Sequence, residues 1–244
     1  MNDHVLLGAA LIFVAALLYS AVGHAGASGY LAVMSLLGMA PATMRPTALV
    51  LNLVVAVIGT IQFSRAGYFR WSLCWPFVVA SIPAAYLGGR LALPITTYRF
   101  VVGVILLLSA IRFVITLRAP DVARRRIPLV PALVIGAVLG LLSGLTGVGG
   151  GIFLSPVLLL AGWADLRTTA ATSVTFILAN SAAGLLAQRD ALASISSVAP
   201  AWAIAAAAGG LIGSFLGSRK LPSPALRGVL AAVLVAAGLK LIVR

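Results

Sequence analysis

Side chains able to do acid–base or metal chemistry are scarce in this sequence. Its only acidic residues are Asp3, Asp121, Asp165 and Asp190, and there is no glutamate. All four fall at the ends of apolar segments or between them, so no paired-carboxylate centre, carboxylate proton relay or acidic metal cage is expected. His4 and His24 cannot make a multi-histidine metal site, and no Ser-His-Asp arrangement is visible. The single Cys74 allows neither an intrachain disulfide nor a Cys-x-x-Cys site, and reads as a small buried apolar residue. No catalytic residue, metal or cofactor is therefore expected, and enzyme is the weak hypothesis.

What remains is neutral hydrogen-bonding chemistry around glycine. Gly147-Val148-Gly149-Gly150-Gly151-Ile152-Phe153-Leu154-Ser155-Pro156 interrupts an otherwise apolar run from Pro128 to Gly162. Glycine within a helix costs ~1 kcal/mol relative to alanine and proline ~3, so the cluster reads as a break in a helix. Unwound backbone at membrane depth must be buried in protein or face a cavity. A helix restarting there offers N–H groups and a positive dipole end to an anion. No GK[ST] ending follows, so this is not a P-loop. Close helix packing also uses glycine and stays open as the other reading.

Gly149, Gly150 and Gly151 are accordingly candidate substrate-binding positions, and Gly23-His24-Ala25-Gly26-Ala27-Ser28-Gly29 is their first-half counterpart. There His24, Gly26 and Ser28 are the candidates. Ionisable groups at membrane depth mark function by default, although His24 also fits a neutral ring bonded to a backbone carbonyl. Asn52 and Asn180 occupy matching places in the two halves, and each fits either a site lining or interhelical glue. Thr172, Ser173 and Ser181 add hydroxyls near Asn180. Arg45 fits an anion attractor or an interfacial anchor, and Trp71, Trp75, Trp163 and Trp202 read as membrane-belt residues.

The elements that must position these residues are membrane segments. The 244 residues are 62% hydrophobic and 9% charged, more apolar than a soluble core requires, and several runs reach the ~20 residues that span a bilayer. The formal charge of +13 sits mostly between apolar segments, which points to orientation in the bilayer and not to nucleic acid. Ten segments can be drawn: Val5–Val22, Ser28–Met39, Arg45–Phe63, Ser72–Leu91, Tyr98–Leu117, Pro128–Thr146, Gly151–Gly162, Thr168–Gln188, Ser197–Gly217 and Ala225–Val243. The second and seventh are short, so they either span or re-enter. The first resembles a signal peptide, with Ala25-Gly26-Ala27 as a cleavage site, but its start lacks Lys and Arg; a retained helix is expected.

The segments form two sets of five. At a shift of 124, Gly23, Gly26 and Gly38 fall on Gly147, Gly150 and Gly162; at 128, Asn52, Gly89, Pro94 and Arg99 fall on Asn180, Gly217, Pro222 and Arg227. The ladder Ser81, Ala85, Gly89 maps onto Gly209, Gly213, Gly217 and, like Gly136, Gly140, Gly144, reads as a packing face. The basic loop 118–126 should be cytoplasmic. With ten crossings, ten basic residues share its side against six opposite, and five crossings per half make the repeats inverted. The expected organisation is one transmembrane domain: repeat 1–117, basic cytoplasmic linker 118–127 and repeat 128–244.

Gly147–Gly151, Pro156, the Gly162-Trp163 turn, Ala171-Thr172-Ser173 and Asn180-Ser181, with the degenerate first-half motif Gly23–Tyr30 and the basic central loop, resemble the TauE/SafE sulfite-exporter family of bacterial membrane permeases. The resemblance spans nearly the whole chain, and departs from the usual glycine cluster at His24 and Ala25. It implies an all-α integral protein of the bacterial inner membrane that exports a small anion such as sulfite or a sulfonate. The expected partners are that anion and the lipid bilayer, with no nucleic acid, and a homodimer stays open. A membrane scaffold or partner subunit without transport is the alternative from another class.

Overall fold

The computed structural model of the chain describes residues 2–91, 94, 96–98, 100–104, 107, 111, 127–190, 195–219, 235 and 239. Every element delimited among them is a helix: α1 (Asn2–Ser20), α2 (Ala27–Leu36), α3 (Pro41–Arg65), α4 (Trp71–Arg90), α5 (Leu129–Thr146), α6 (Gly151–Leu160), α7 (Leu166–Ala187) and α8 (Ala199–Arg219). They match eight of the ten expected segments to within four residues at each end. Residues 98, 100–104, 107 and 111 are helical within the fifth, and 96–97 just before it. The other residues of that segment, residues 118–126 of the linker and nearly all of the tenth segment lie outside the described residues. So do Arg99, Pro222 and Arg227 of the repeat match.

Local sequence explains several boundaries. Pro41 opens α3, where its missing N–H costs nothing. Asp165 caps α7, its carboxylate accepting from the Thr168 backbone N–H and hydroxyl, both at 2.9 Å. α3 from Ala42, α4, α5, α7 and α8 are each long and apolar enough to cross a bilayer. Polarity is distributed inside-out. Val130 and Ile204 are 69% and 74% exposed, whereas Asn52, Ser155, Thr172, Ser173, Asn180 and Ser181 are fully buried. A large apolar surface around an apolar core that also holds these polar side chains is what a lipid solvent selects, and the chain is a multi-pass membrane protein.

Helix pairing runs between the halves. α4 lies along α5, with Gly136, Gly140 and Gly144 against the backbone of Phe77, Ser81 and Ala85 in turn, so the two helices run in the same direction. Two expected packing faces are thus opposite sides of one interface. Likewise Gly209, Gly213 and Gly217 meet the backbone of Phe13, Leu17 and Ala21, which makes α8 parallel to α1. α3 and α7 cross at the centre in opposite directions, Leu49 beside Gly184 and Val174 beside Gly59. Trp202 corrects the belt reading: only 2% exposed, it packs its ring on Gly8 and donates from Nε1 to the Val5 carbonyl at 3.2 Å. It clamps α1 to α8 because the absent Gly8 side chain leaves room for an indole.

Candidate functional site

Two helix breaks built on left-handed glycine face the α3–α7 crossing. Gly147 (φ 77°) ends α5, Gly149 (φ 84°) and Gly150 (φ 74°) follow, and α6 starts at Gly151 without a side-chain cap. In the first half Gly23 (φ 77°) and Gly26 (φ 106°) separate α1 from α2, also uncapped. Left-handed backbone costs a residue with a Cβ ~1–2 kcal/mol, which accounts for glycine at both pairs of matched positions. The halves differ at Gly149, whose counterpart is Ala25; no non-glycine residue among those described has positive φ.

Side chains from both halves meet at these breaks. His24 Nε2 lies 3.0 Å from the Ser155 hydroxyl on α6, which in turn lies 2.6 Å from the Ser173 hydroxyl on α7. Ser155 also reaches the Gly151 carbonyl at 3.1 Å, tying the chain to the start of α6. Asn52 of α3 donates from Nδ2 to the Val148 carbonyl at 3.3 Å and the Ser181 hydroxyl at 3.4 Å. A Cβ on Gly149 would come within 2.8 Å of that same amide nitrogen. Glycine at 149 is therefore required by the approach of Asn52 as well as by its backbone angle.

Other candidates are placed differently. The Asn180 amide donates to the Phe176 carbonyl of its own helix at 2.9 Å, and the Thr172 hydroxyl to Thr168 at 2.8 Å. Ser28 donates to the Tyr19 hydroxyl at 2.8 Å, and Gly26 lies against the Tyr30 ring. Gly150 faces Phe176, the Leu139 carbonyl and Ser143, while Gly151 packs on Ile177 and the Ser173 carbonyl. Asn52 Oδ1 and Asn180 Oδ1 are buried with no hydrogen-bond partner among the described residues, as are the Ser143 and Thr169 hydroxyls. The centre therefore holds both unused acceptors and unused hydroxyls, all neutral, and His24 is its one side chain able to carry charge at neutral pH.

Two residues gain a role that sequence reading did not assign. Ser155 joins His24 to Ser173, and nothing in its local sequence separates it from other membrane serines. Arg45 sits at the opposite end of α3 from Arg65. It donates from Nη2 to the carbonyls of Gly88 and Gly89 at 2.9 Å and to that of Gly144, and from Nη1 to Leu91 at 3.2 Å. One guanidinium thus satisfies the last carbonyls of both α4 and α5, where helices leave acceptors unpaired and a cation meets the negative dipole end. Its stem lies against Gly147, so it fixes the turn that opens the second break.

The sulfite exporter TauE/SafE family pattern matches residues 8–241. The chain is 44% identical over 234 residues, 94% of its length and 95% of the relative's, to a probable membrane transporter protein, y4hK, of Sinorhizobium fredii. It is 25% identical over 143 residues, 57% of its length and 53% of the relative's, to a probable membrane transporter protein, MJ0441, of Methanocaldococcus jannaschii. No solved structure matches it. With the family pattern running almost end to end over this helical architecture, the chain belongs to the TauE/SafE sulfite exporter family of membrane transporters.

Proposed function

We propose that this protein exports a small anion, sulfite or an organosulfur anion, across the bacterial inner membrane by alternating access. Its frame would be ten segments in two inverted repeats, 1–117 and 128–244, joined by a cytoplasmic linker at 118–127. The observation that carries the reading is the meeting of the two glycine breaks: His24 of the first half bonds Ser155 of the second, and Asn52 of the first half sits on Gly149 of the second. A centre made jointly by both halves is what rocking of one half against the other would open and close. The opposed directions of α3 and α7, which occupy equivalent places in the two repeats, support the inversion.

The chemistry of the centre suits such cargo. Uncapped starts of α2 and α6 offer N–H groups and positive dipole ends, worth ~0.3–2 kcal/mol each according to burial, and weak contacts let cargo leave. The free amide oxygens of Asn52 and Asn180 suit the O–H of a monoprotonated oxyanion. An inside-negative potential drives anion exit by ~2.3 kcal/mol per charge per 100 mV, so export needs no coupling carboxylate. Gly149, Gly150, Gly151, Thr172, Ser173, Asn180, His24, Gly26, Ser28 and Asn52 are the proposed binding region, extended to Ser155.

The full burial of Asn52, Asn180, Ser155 and Ser173 also fits a scaffold that transports nothing. Purified protein in proteoliposomes separates the two. Under an imposed potential, efflux of sulfite, thiosulfate or sulfoacetate should exceed that of protein-free vesicles and of chloride. Vesicles that release every anion at the protein-free rate would leave the scaffold standing.

A further inference from the structure

A cavity with polar and apolar walls lies away from the breaks, between the C-terminal parts of α3 and α8. Its volume is about 440 Å³ and its walls include Ile61, Gln62, Arg65, Leu211, Phe215 and Arg219, a size within the ~300–1,000 Å³ usual for ligand sites. Gln62 bridges the two helices by donating from Nε2 to the Leu211 carbonyl at 3.0 Å. Arg219 is held over the Phe215 ring, its guanidinium carbon 4.3 Å from the centroid. Neither Arg65 nor Arg219 has a carboxylate partner among the described residues, and no acidic residue lines the cavity. Asp165 is engaged at the start of α7. Two exposed arginines therefore sit unpaired at the mouth.

Below them the same two helices turn apolar side chains outward: Val57 and Ile61 on α3, Leu211 and Phe215 on α8 are 41–54% exposed. The arginines lie at the end of the bundle where Arg167 also meets Tyr68 and the Arg219 carbonyl, which gathers positive charge at one membrane face. A ligand that satisfies both regions has an anionic head and a hydrocarbon tail. We propose that this groove is a binding site for an anionic glycerophospholipid, its phosphate between Arg65 and Arg219 and an acyl chain along Ile61, Leu211 and Phe215. A soluble phosphate would leave the apolar wall unused, and a zwitterionic lipid would bring a second cation against the arginines. Basic pockets between membrane helices recognise head groups in this manner.

The test uses the full chain purified in detergent and stripped of lipid. Phosphatidylglycerol should raise its unfolding temperature, while phosphatidylcholine and inorganic phosphate should not. In the double variant Arg65→Gln/Arg219→Gln, affinity for phosphatidylglycerol should fall about ten-fold or more, since each basic residue at such a surface contributes ~1 kcal/mol. Independently, a photoreactive phosphatidylglycerol bound to the unaltered protein should label peptides from the ends of α3 and α8. Equal stabilisation by phosphatidylcholine or by inorganic phosphate, undiminished affinity in the double variant, or labelling confined to other helices would each overturn the site.

Discussion

Hydrogen bonding in the centre is set by which atoms each polar side chain can spare. Asn52 donates across to the Val148 carbonyl and the Ser181 hydroxyl, Asn180 to a carbonyl within α7, and both keep an amide oxygen without a partner among the described residues. Buried acceptors without donors cost free energy, so their retention in a lipid-embedded interior argues for use. Arg45 shows the opposite economy, with three carbonyls of Gly88, Gly89 and Gly144 converging on one nitrogen. Arg45→Met should lower stability by ~1.5–3 kcal/mol, the scale of a hydrogen bond to a charged group, read as the unfolding midpoint in detergent. Arg45→Lys should recover part of it, because an ammonium lacks the planar fork. A wild-type midpoint for Arg45→Met would show that the latch carries no load. The sequence made His24 and Asn52 legible as polar residues in apolar runs. It could not show that Ser155 is His24's partner 131 positions away, nor that an arginine at a segment start turns inward to cap two other helices.

At the scale of elements, helix boundaries followed closely from apolar length, Pro41, Asp165 and the glycine breaks. Pairing did not, because in lipid small-residue faces say that a helix is approached closely and not by which one. Gly140 and Gly184 separate the two roles of helical glycine. A Cβ at Gly140 would run into the Ser81 backbone, whereas at Gly184 its nearest neighbour is the Leu49 side chain at 3.5 Å, ordinary contact. Gly140→Ala should therefore destabilise by ~1–3 kcal/mol through forced separation of α4 and α5. Gly184→Ala should be neutral or stabilising by up to ~1 kcal/mol through helix propensity. Thermal unfolding of the two purified variants decides the point, and equal losses in both would contradict the interface geometry.

For the whole molecule, the pairings exchange under a swap of halves. α1 with α8 becomes α5 with α4, α3 with α8 becomes α7 with α4, and α2 with α3 becomes α6 with α7. The matches of glycine at a shift of 124 acquire a physical meaning here, since Gly23 and Gly147, Gly26 and Gly150, and Gly38 and Gly162 are all left-handed. Such an arrangement places one half's asparagine on the other half's break, so any relative motion of the halves must change the contact between Asn52 and Gly149. The proposed export through the centre would make that contact part of the anion's path. The most direct measurement is potential-driven sulfite efflux from proteoliposomes carrying Asn52→Leu, which keeps the branched four-atom skeleton and removes the amide. The expected result is a loss of about 10–100-fold, the equivalent of ~1.5–3 kcal/mol for one hydrogen bond to a charged group, with the variant still monodisperse and folded. Efflux at the wild-type rate would place the anion's route elsewhere and leave the Asn52–Gly149 contact as packing alone.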